Sequence, residues 1–403
     1  MLPIDNTSKL SRFSRRLIAA TYIGSIGNGL SDIAVAQHGI REYGSYWPAT
    51  IFLFSTLIPL LIPAKSMRRI AGKGLRGWLA MQVLLAGGVA LYTISSDRLT
   101  WFVANYAIVA TIAFCATITL RAIATENVKE GEKRRVYRLQ SAGLSVQSII
   151  APPLGAILAA RFGYEAAYLG NAVGFMLAAA CFIAVRATVH VGTETIGGTS
   201  ISSKSQGKAE THGIRLVLAG WCVATIGWAV FVAVQQPYIV ETLQLSLSNT
   251  GWLLMVAGAG GITSMVINSR PGYKGLGVRS ALTLNVVSMT IFALPWGQPY
   301  LAGIGLFFYG LSFTEAVGGI RLLAEEQFTG RLEASVYWHL HQRTALLGNL
   351  IGYVACIALL GGVLSVNLTV MILLAAVLLI GVGFLLRFVP KRTAAPVPQT
   401  VGS

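Results

Sequence analysis

Long apolar runs and short polar joins alternate along the whole chain. The runs lie at 17–40, 46–63, 78–95, 101–123, 140–160, 166–185, 216–239, 250–268, 280–296, 300–322, 336–361 and 366–388. A helix crosses the hydrocarbon of a bilayer with roughly 20 mostly apolar residues, the length of these runs. Open sheet edges cannot face lipid, and the runs are too long and too evenly apolar for barrel strands. The pattern therefore predicts an all-α membrane protein, with one transmembrane helix per run and twelve in all.

The joins alternate in charge. One set is basic: Lys65, Arg68, Arg69, Lys73 and Arg76; then Lys129, Lys133, Arg134, Arg135 and Arg138; then Lys204 and Lys208; then Arg270, Lys274 and Arg279; then Arg331 and Arg343. The other set is short and nearly neutral, with Arg41, Arg98 and Arg161 each beside an acid (Glu42, Asp97, Glu165). Lysine and arginine are retained on the cytoplasmic side, which puts the basic joins there. The segment holding Lys9, Arg12, Arg15 and Arg16 and the tail holding Lys391 and Arg392 fall on the same side. The expectation is a multi-pass protein of the inner (cytoplasmic) membrane with both termini in the cytoplasm.

Composition sharpens this. The chain is 54% hydrophobic and 11% charged, whereas a soluble domain carries about a quarter charged residues. The net charge of +16 is spread over short joins and not gathered on one soluble face. That excludes a nucleic-acid partner and fits topological signalling plus attraction to anionic lipid heads. The first run is too long for a signal-peptide core and lacks a small-residue cleavage site, so it reads as a retained helix. Cys115, Cys181, Cys222 and Cys356 all fall in apolar runs. Thiols there act as small hydrophobes, so neither a disulfide nor a zinc site is expected.

One long polar stretch, 187–214, is rich in small residues and reads as a cytoplasmic linker. It separates an N-terminal six-helix half, 1–186, from a C-terminal six-helix half, 215–390, with a cytoplasmic tail at 391–403. The halves resemble each other at an offset of about 200 residues. Arg121 and Glu126 recur as Arg321 and Glu326, and Val136-Tyr137 as Val336-Tyr337. Lys73-Gly74-Leu75 recurs as Lys274-Gly275-Leu276, and Gln37 and Ile40 as Gln236 and Ile239. Two six-span halves in parallel repeat are the plan of a rocking secondary transporter.

With this layout the chain resembles the major facilitator superfamily, and within it the small drug, siderophore and antibiotic exporters of the proton-antiporter branch. Ala151-Pro152-Pro153-Leu154-Gly155-Ala156 resembles the exporters' Gly-Pro-x-x-Gly-Gly motif in the fifth helix. The stretch from Arg161 to Ala172 is similar to their turn into the sixth. Ser25-Ile26-Gly27-Asn28-Gly29-Leu30 resembles the start of their first helix. The signature after the second helix departs from the family. At Ala64-Lys65-Ser66-Met67-Arg68-Arg69-Ile70-Ala71-Gly72-Lys73, Arg68 stands where the family has an acid. The resemblance implies the major facilitator fold and export coupled to protons. Arg121 occupies the position of the arginine that the antiporters use in coupling; paired with Glu126, it would instead be an interfacial anchor.

Among the acids, Asp32 and Glu315 lie well inside predicted spans. Charge at membrane depth is costly, and such residues are functional or paired. A carboxyl that gains and loses a proton as the protein rocks can couple transport to a proton gradient. Asp32, Glu315 and Arg121 are the proton-coupling candidates. Asn28, Gln37, His38, Gln147, Gln235, Gln236 and Asn349 are the candidates for lining a substrate cavity, since amides in hydrocarbon need partners across helices or in water. His339 and His341, two residues apart, point to different faces of a helix, and no acid or cysteine completes a ligand set, so no metal is expected. No Walker motif or nucleophile–base arrangement stands out, so the chain is not read as an enzyme and no cofactor is expected.

The sequence thus predicts a proton-coupled secondary transporter, working as a monomer, that exports a small hydrophilic or amphipathic molecule: a siderophore, a drug or a peptide antibiotic, including self-immunity of a producer. An anionic cargo fits the scarcity of acids in the spans. Nutrient uptake by the same fold and lipid flipping remain alternatives. Sidedness is directly testable. Single cysteines near Lys73, Arg134, Lys204 and Lys274 of a cysteine-free variant should resist an impermeant thiol reagent in intact cells, and those near Asp97 and Gln298 should react. Labelling near Lys204 would overturn the orientation.

Overall fold

The computed structural model describes residues 10–44, 47–95, 98–183, 208–268, 275–294, 298–328, 334–360 and 367–389. The helices are α1 (Arg12–Tyr43), α2 (Trp47–Leu60), α3 (Ala64–Ala71), α4 (Gly74–Ala90), α5 (Tyr92–Ser95), α6 (Leu99–Asn127) and α7 (Glu130–Phe162). They continue with α8 (Tyr164–Ile183), α9 (Lys208–Pro237), α10 (Leu247–Asn268), α11 (Val278–Ala293), α12 (Pro299–Phe328), α13 (Ala334–Leu360) and α14 (Leu368–Leu385). Without the short α3 and α5, twelve remain, one for each predicted run. Eight of the described helices are long and apolar enough to cross a membrane, or nine if the bent pair α2–α3 forms one span. Helix α1 is polar over much of its length, α7 contributes the shorter apolar stretch Ile149–Ala159, and α11 has 16 residues. Most of the stretch read as a linker lies outside the described residues, and its end is already helical, since α9 begins at Lys208.

The main pairings within the first six helices have counterparts in the last six. Helix α1 packs on α7 and α8, as α9 packs on α13 and α14. Helix α4 packs on α6 and α8, as α11 packs on α12 and α14, and α2 on α6 matches α10 on α12. Two large seams join the sets, α7 against α10 and α2 against α13, which are also equivalents under the repeat. Gly74 and Gly275, matched in the sequence repeat, both adopt positive φ, 57° and 80°, at the entry to α4 and α11. Glycine enters that region without the steric cost that a Cβ brings. Helix α3 turns 82° from α2. It buries Met67 and exposes Lys65 and Arg69, so it follows the apolar–polar boundary.

Close approach of backbones builds the bundle. A Cβ on Gly310 would overlap the carbonyl of Ala257, and one on Gly260 the carbonyl of Phe307, so α10 and α12 meet main chain to main chain. Small residues permit this where lipid supplies no hydrophobic drive for helices to associate. The buried side chains fall into two principal clusters. One holds Leu17, Trp78, Ile118, Tyr168 and Phe182; the other holds Phe231, Tyr238, Phe292, Met371 and Leu379. Ile33 and Ala49 join the second cluster from α1 and α2, tying the two sets together. Val83, Leu84, Ile108, Val173, Val377 and Ile380 are exposed apolar residues on the outside, as a lipid-facing surface requires.

At the basic end, Glu132 in the first turn of α7 fastens the start of α1. It accepts the backbone N–H of Ser11 at 3.2 Å and the hydroxyl of Ser14 at 2.6 Å. Ser11 is also the N-cap of α1. Glu132 precedes the apolar run, and the Ser14 hydroxyl, helped by Ser11, holds its carboxyl below its usual value of 4.5. A depressed carboxyl stabilises the fold above its usual titration range and loses that contribution as pH falls through its depressed value. Glu132→Gln should therefore unfold at a lower temperature than the parent at pH 7, and the gap should close as pH drops below 4.5. Thermal scans by size-exclusion fluorescence across that range measure this; a gap that is independent of pH would contradict it.

Candidate functional site

Successive residues of α1 turn to different neighbours. Ser31 accepts from Asn171 Nδ2 of α8 at 2.7 Å and donates to the carbonyl of Asn28 at 3.1 Å. Asp32, next in sequence, faces α6, where the Tyr106 hydroxyl donates to its Oδ1 at 3.3 Å. Tyr106 stacks on Tyr92 of α5, with centroids 5.8 Å apart and planes at 25°. Tyr92 in turn meets Tyr168 of α8 edge to face at 5.4 Å. From the second set, Tyr353 of α13 comes within electrostatic reach of both Tyr106 and Asp32. Its ring lies 5.6 Å from Phe52 of α2. Asp32 is thus a partly accessible carboxyl among tyrosines, at the α2–α13 seam.

A second cluster bridges the sets at the basic end. The guanidinium of Arg121 on α6 sits 4.9 Å from the centre of the Trp338 ring on α13. The indole N–H of Trp338 donates to Thr125 Oγ1, again on α6, at 3.3 Å. With its amide oxygen turned to the guanidinium, Gln342 accepts from Arg121 at 2.7 and 3.3 Å. His341 stacks on Trp221 of α9 at 4.5 Å and meets the edge of Trp338 at 5.8 Å. Arg121 and its repeat mate Arg321 both lie within electrostatic reach of His341, so the two matched arginines converge on one buried ring. His339 turns the other way, its ring 6.3 Å from Phe114 of α6.

Glu315 anchors a third contact. It accepts from Ser264 of α10 at 2.6 Å and from the backbone N–H of Leu276, just before α11, at 3.2 Å. One carboxylate therefore ties α12 to α10 and to the N-terminus of α11, where a negative charge complements the helix dipole. Asp32, Glu315 and Arg121 occupy three separate places and make no common site among the described contacts.

The amides divide by seam. Gln147 of α7 packs against Gly29 of α1, where a Cβ would lie 2.7 Å from its Cγ. Gln37 is buried, as is Gln236 near the end of α9, and Gln235 and Asn349 are half-buried. Asn349 follows Gly348, which packs against Cys222 and Thr225 of α9. Asn28 is half-buried on α1. His38 meets the edge of Tyr164 at 4.9 Å and so belongs to the α1–α8 contact. Among the described residues no group of three or more His, Cys, Asp or Glu could hold a metal. The four cysteines are separate free thiols.

Sequence reasoning missed Tyr92, Tyr106, Tyr353 and Trp338. Each reads as an ordinary apolar-run aromatic, and nothing in its spacing says that it meets a charge. Asn171 of α8 was legible only as part of a turn motif.

The α6–α13 contact is open to a direct check. In a cysteine-free variant, Thr125→Cys with Trp338→Cys should be joined by a short bifunctional thiol reagent that spans the length of the lost indole, linking the two sets at the basic end. Failure to cross-link, with each single cysteine reactive on its own, would mean that α6 and α13 do not approach there.

The sequence profile described as "Major Facilitator Superfamily" matches residues 12–337. Among solved structures the chain is similar to the human organic anion transporter MFSD10 (TETRAN), with 16% identity, a TM-score of 0.66, and coverage of 93% of this chain and 99% of that one. It is similar to PepTSo, a transporter of the POT family, with 10% identity, a TM-score of 0.71, and coverage of 94% and 98%. A bacterial homologue of the human lysosomal transporter Spinster, inward-facing and unoccupied, matches with 14% identity, a TM-score of 0.60, and coverage of 95% and 96%. At such identities the likeness is one of fold. No curated protein sequence matches the chain.

Proposed function

Since the chain belongs to the major facilitator superfamily, a family of membrane transporters, we propose that it exports a small hydrophilic or amphipathic molecule in exchange for protons. In this reading the halves 1–186 and 215–390 rock about the α7–α10 and α2–α13 seams, with both termini in the cytoplasm and one chain sufficient for transport. Cargo, protons and the surrounding lipid are its partners. The outward direction is supported by the exporter-like Ala151–Ala156 stretch of α7 and by the turn from Arg161 into α8. A siderophore, a drug or a peptide antibiotic fits it.

One observation carries proton coupling. Asp32 is held on a membrane helix by a tyrosine hydroxyl, at a seam that must change when the halves rock. Ionisation is favoured when such a seam admits water and disfavoured when it closes, so the proton state follows the conformation. Arg121 supports it from the opposite end of α6. Its planar guanidinium meets the Trp338 ring and the Gln342 amide at once, a bond pattern that lysine cannot copy. Glu315 fixes the entry of α11, so its protonation would loosen a contact among three helices.

Inside-out vesicles energised by respiration test the proposal. Screened with hydroxamate siderophores, cationic dyes and small peptides, they should show cargo-dependent collapse of the pH gradient. With the cargo so found, Asp32→Asn should reduce the collapse by about tenfold or more, as expected for removal of an essential intramembrane carboxyl. Glu315→Gln and Arg121→Lys should slow it while the protein stays in the membrane. Parent-like collapse in Asp32→Asn would remove this carboxyl from coupling, and cargo leaving the vesicles with protons would reverse the direction.

A further inference from the structure

Helix α3 carries its charge on one face. Lys65 and Arg69, one turn apart, are exposed, whereas Met67 and Ala71 are buried. Offset by two residues, the two pairs take opposite sides of the helix. Lys73 and Arg76, at the entry to α4, are exposed as well. Arg68 belongs to the same stretch, and no Asp or Glu occurs between Glu42 and Asp97. The side chains of Lys65, Arg69, Lys73 and Arg76 make no hydrogen bond or ion pair with another described residue. Four cations therefore stand together at the basic end with no anion of the described protein to answer them.

Apolar surface leads to these cations from both sides. Phe54, Leu57, Ile58 and Leu61 are exposed at i, i+3, i+4 and i+7, a single stripe that runs down α2 to the bend. Leu61, its last member, is 73% exposed, and Lys65 follows it by four residues. After the bend, Arg76 is followed on α4 by exposed Ala80, Val83 and Leu84, again at i+4, i+7 and i+8. Helix α3 turns 82° from α2 between the two stripes, as an amphipathic helix does when it follows the surface of a bilayer. A negative headgroup on acyl chains matches both features at once: its phosphate meets the cations and its chains lie on the stripe. A free anion would leave the stripe unused, and a zwitterionic headgroup brings a positive charge of its own. We propose that α3 and the entry to α4 form a binding site for an anionic phospholipid, with its headgroup among Lys65, Arg69, Lys73 and Arg76 and its chains along the exposed stripe of α2. Helix α3 also packs on α13 of the other set, so the site borders the α2–α13 seam. The inference depends on the chain lying in a membrane, and not on its cargo or on the direction of transport.

The experiment uses the full chain, purified and stripped of lipid in a non-ionic detergent. It is titrated with dioleoylphosphatidylglycerol and with dioleoylphosphatidylcholine, which has the same chains, and native mass spectrometry reads the bound lipid. The parent should hold the glycerol lipid about tenfold more tightly than the choline lipid, or better. Lys65→Gln with Arg69→Gln should weaken binding of the glycerol lipid by about tenfold or more and leave the choline lipid within about threefold. Arg12→Gln with Arg15→Gln removes the same charge from exposed positions at the start of α1 and should stay within about threefold of the parent for both lipids. Equal losses in the two pairs would mean a diffuse attraction to the whole basic end and overturn the site. Leu61→Gln takes a chain contact from the stripe and should weaken both lipids; parent-like binding there would remove the stripe from the site. Glycerophosphoglycerol, the headgroup without its chains, should fail to displace the lipid even in large excess. Full displacement would assign the cations to a free anion and overturn the lipid. Should the Lys65 and Arg69 pair not be monodisperse, Lys73→Gln with Arg76→Gln carries the same test: a comparable loss supports the site and parent-like binding overturns it. No preference of the parent for the glycerol lipid also overturns it.

Discussion

A polar group in hydrocarbon has no water to bond to, and the architecture follows from where each such group finds a partner. The helical backbone pairs its own N–H and C=O groups, which leaves the side chains to decide which helix stands beside which. Asn171 reaches Ser31 and joins α8 to α1. Asn285 reaches Ser312 and the Trp228 indole, joining α11 to α12 and α9. Asn105 reaches the carbonyl of Gly88 and joins α6 to α4. Glycines then let the same helices touch, as Gly260 and Gly310 do between α10 and α12.

The same constraint separates structural charges from available ones. Glu315 and Glu132 are each satisfied by hydroxyls and backbone at the start of a helix, and each fastens one element to another. Among the described contacts Asp32 receives a single hydroxyl, that of Tyr106. Arg121 is engaged by the Trp338 face and the Gln342 amide of the opposite set. Its contacts with Trp338 and Gln342 depend on the approach of α6 to α13. Charges at the two ends of α1 and α6 therefore differ in their partners: those at the basic end are held by several groups, and Asp32 by one tyrosine hydroxyl among the described contacts.

The repeat explains why the seams come in equivalent pairs. Duplicated halves present the same faces twice, so α7 on α10 is answered by α13 on α2. Departures from the repeat mark where the halves have specialised. Glu315 has Cys115 at its offset position in α6, a buried thiol in place of a carboxylate. Arg121 and Arg321 remain matched, and Arg121 lies over Trp338, a ring that α13 presents to the opposite set.

The sequence by itself determined the membrane class, the number and order of the helices, the alternation of basic and neutral joins and the internal repeat. All of these are written along the chain, in the length of an apolar run or the position of a lysine, and need no knowledge of a neighbour. It also drew attention to Asp32, Glu315 and Arg121, since a charge within an apolar run is visible as such. Only the tertiary structure decided what each of them meets. A helix in lipid is apolar nearly all round, so its sequence does not fix its rotation about its own axis, and neighbours within hydrogen-bonding reach come from segments far away in the chain. For this reason Tyr92, Tyr106 and Tyr353 gave no signal until packing brought them around Asp32. For the same reason only the packing shows that Gln147 and His38 take part in the contacts of α1 with α7 and α8.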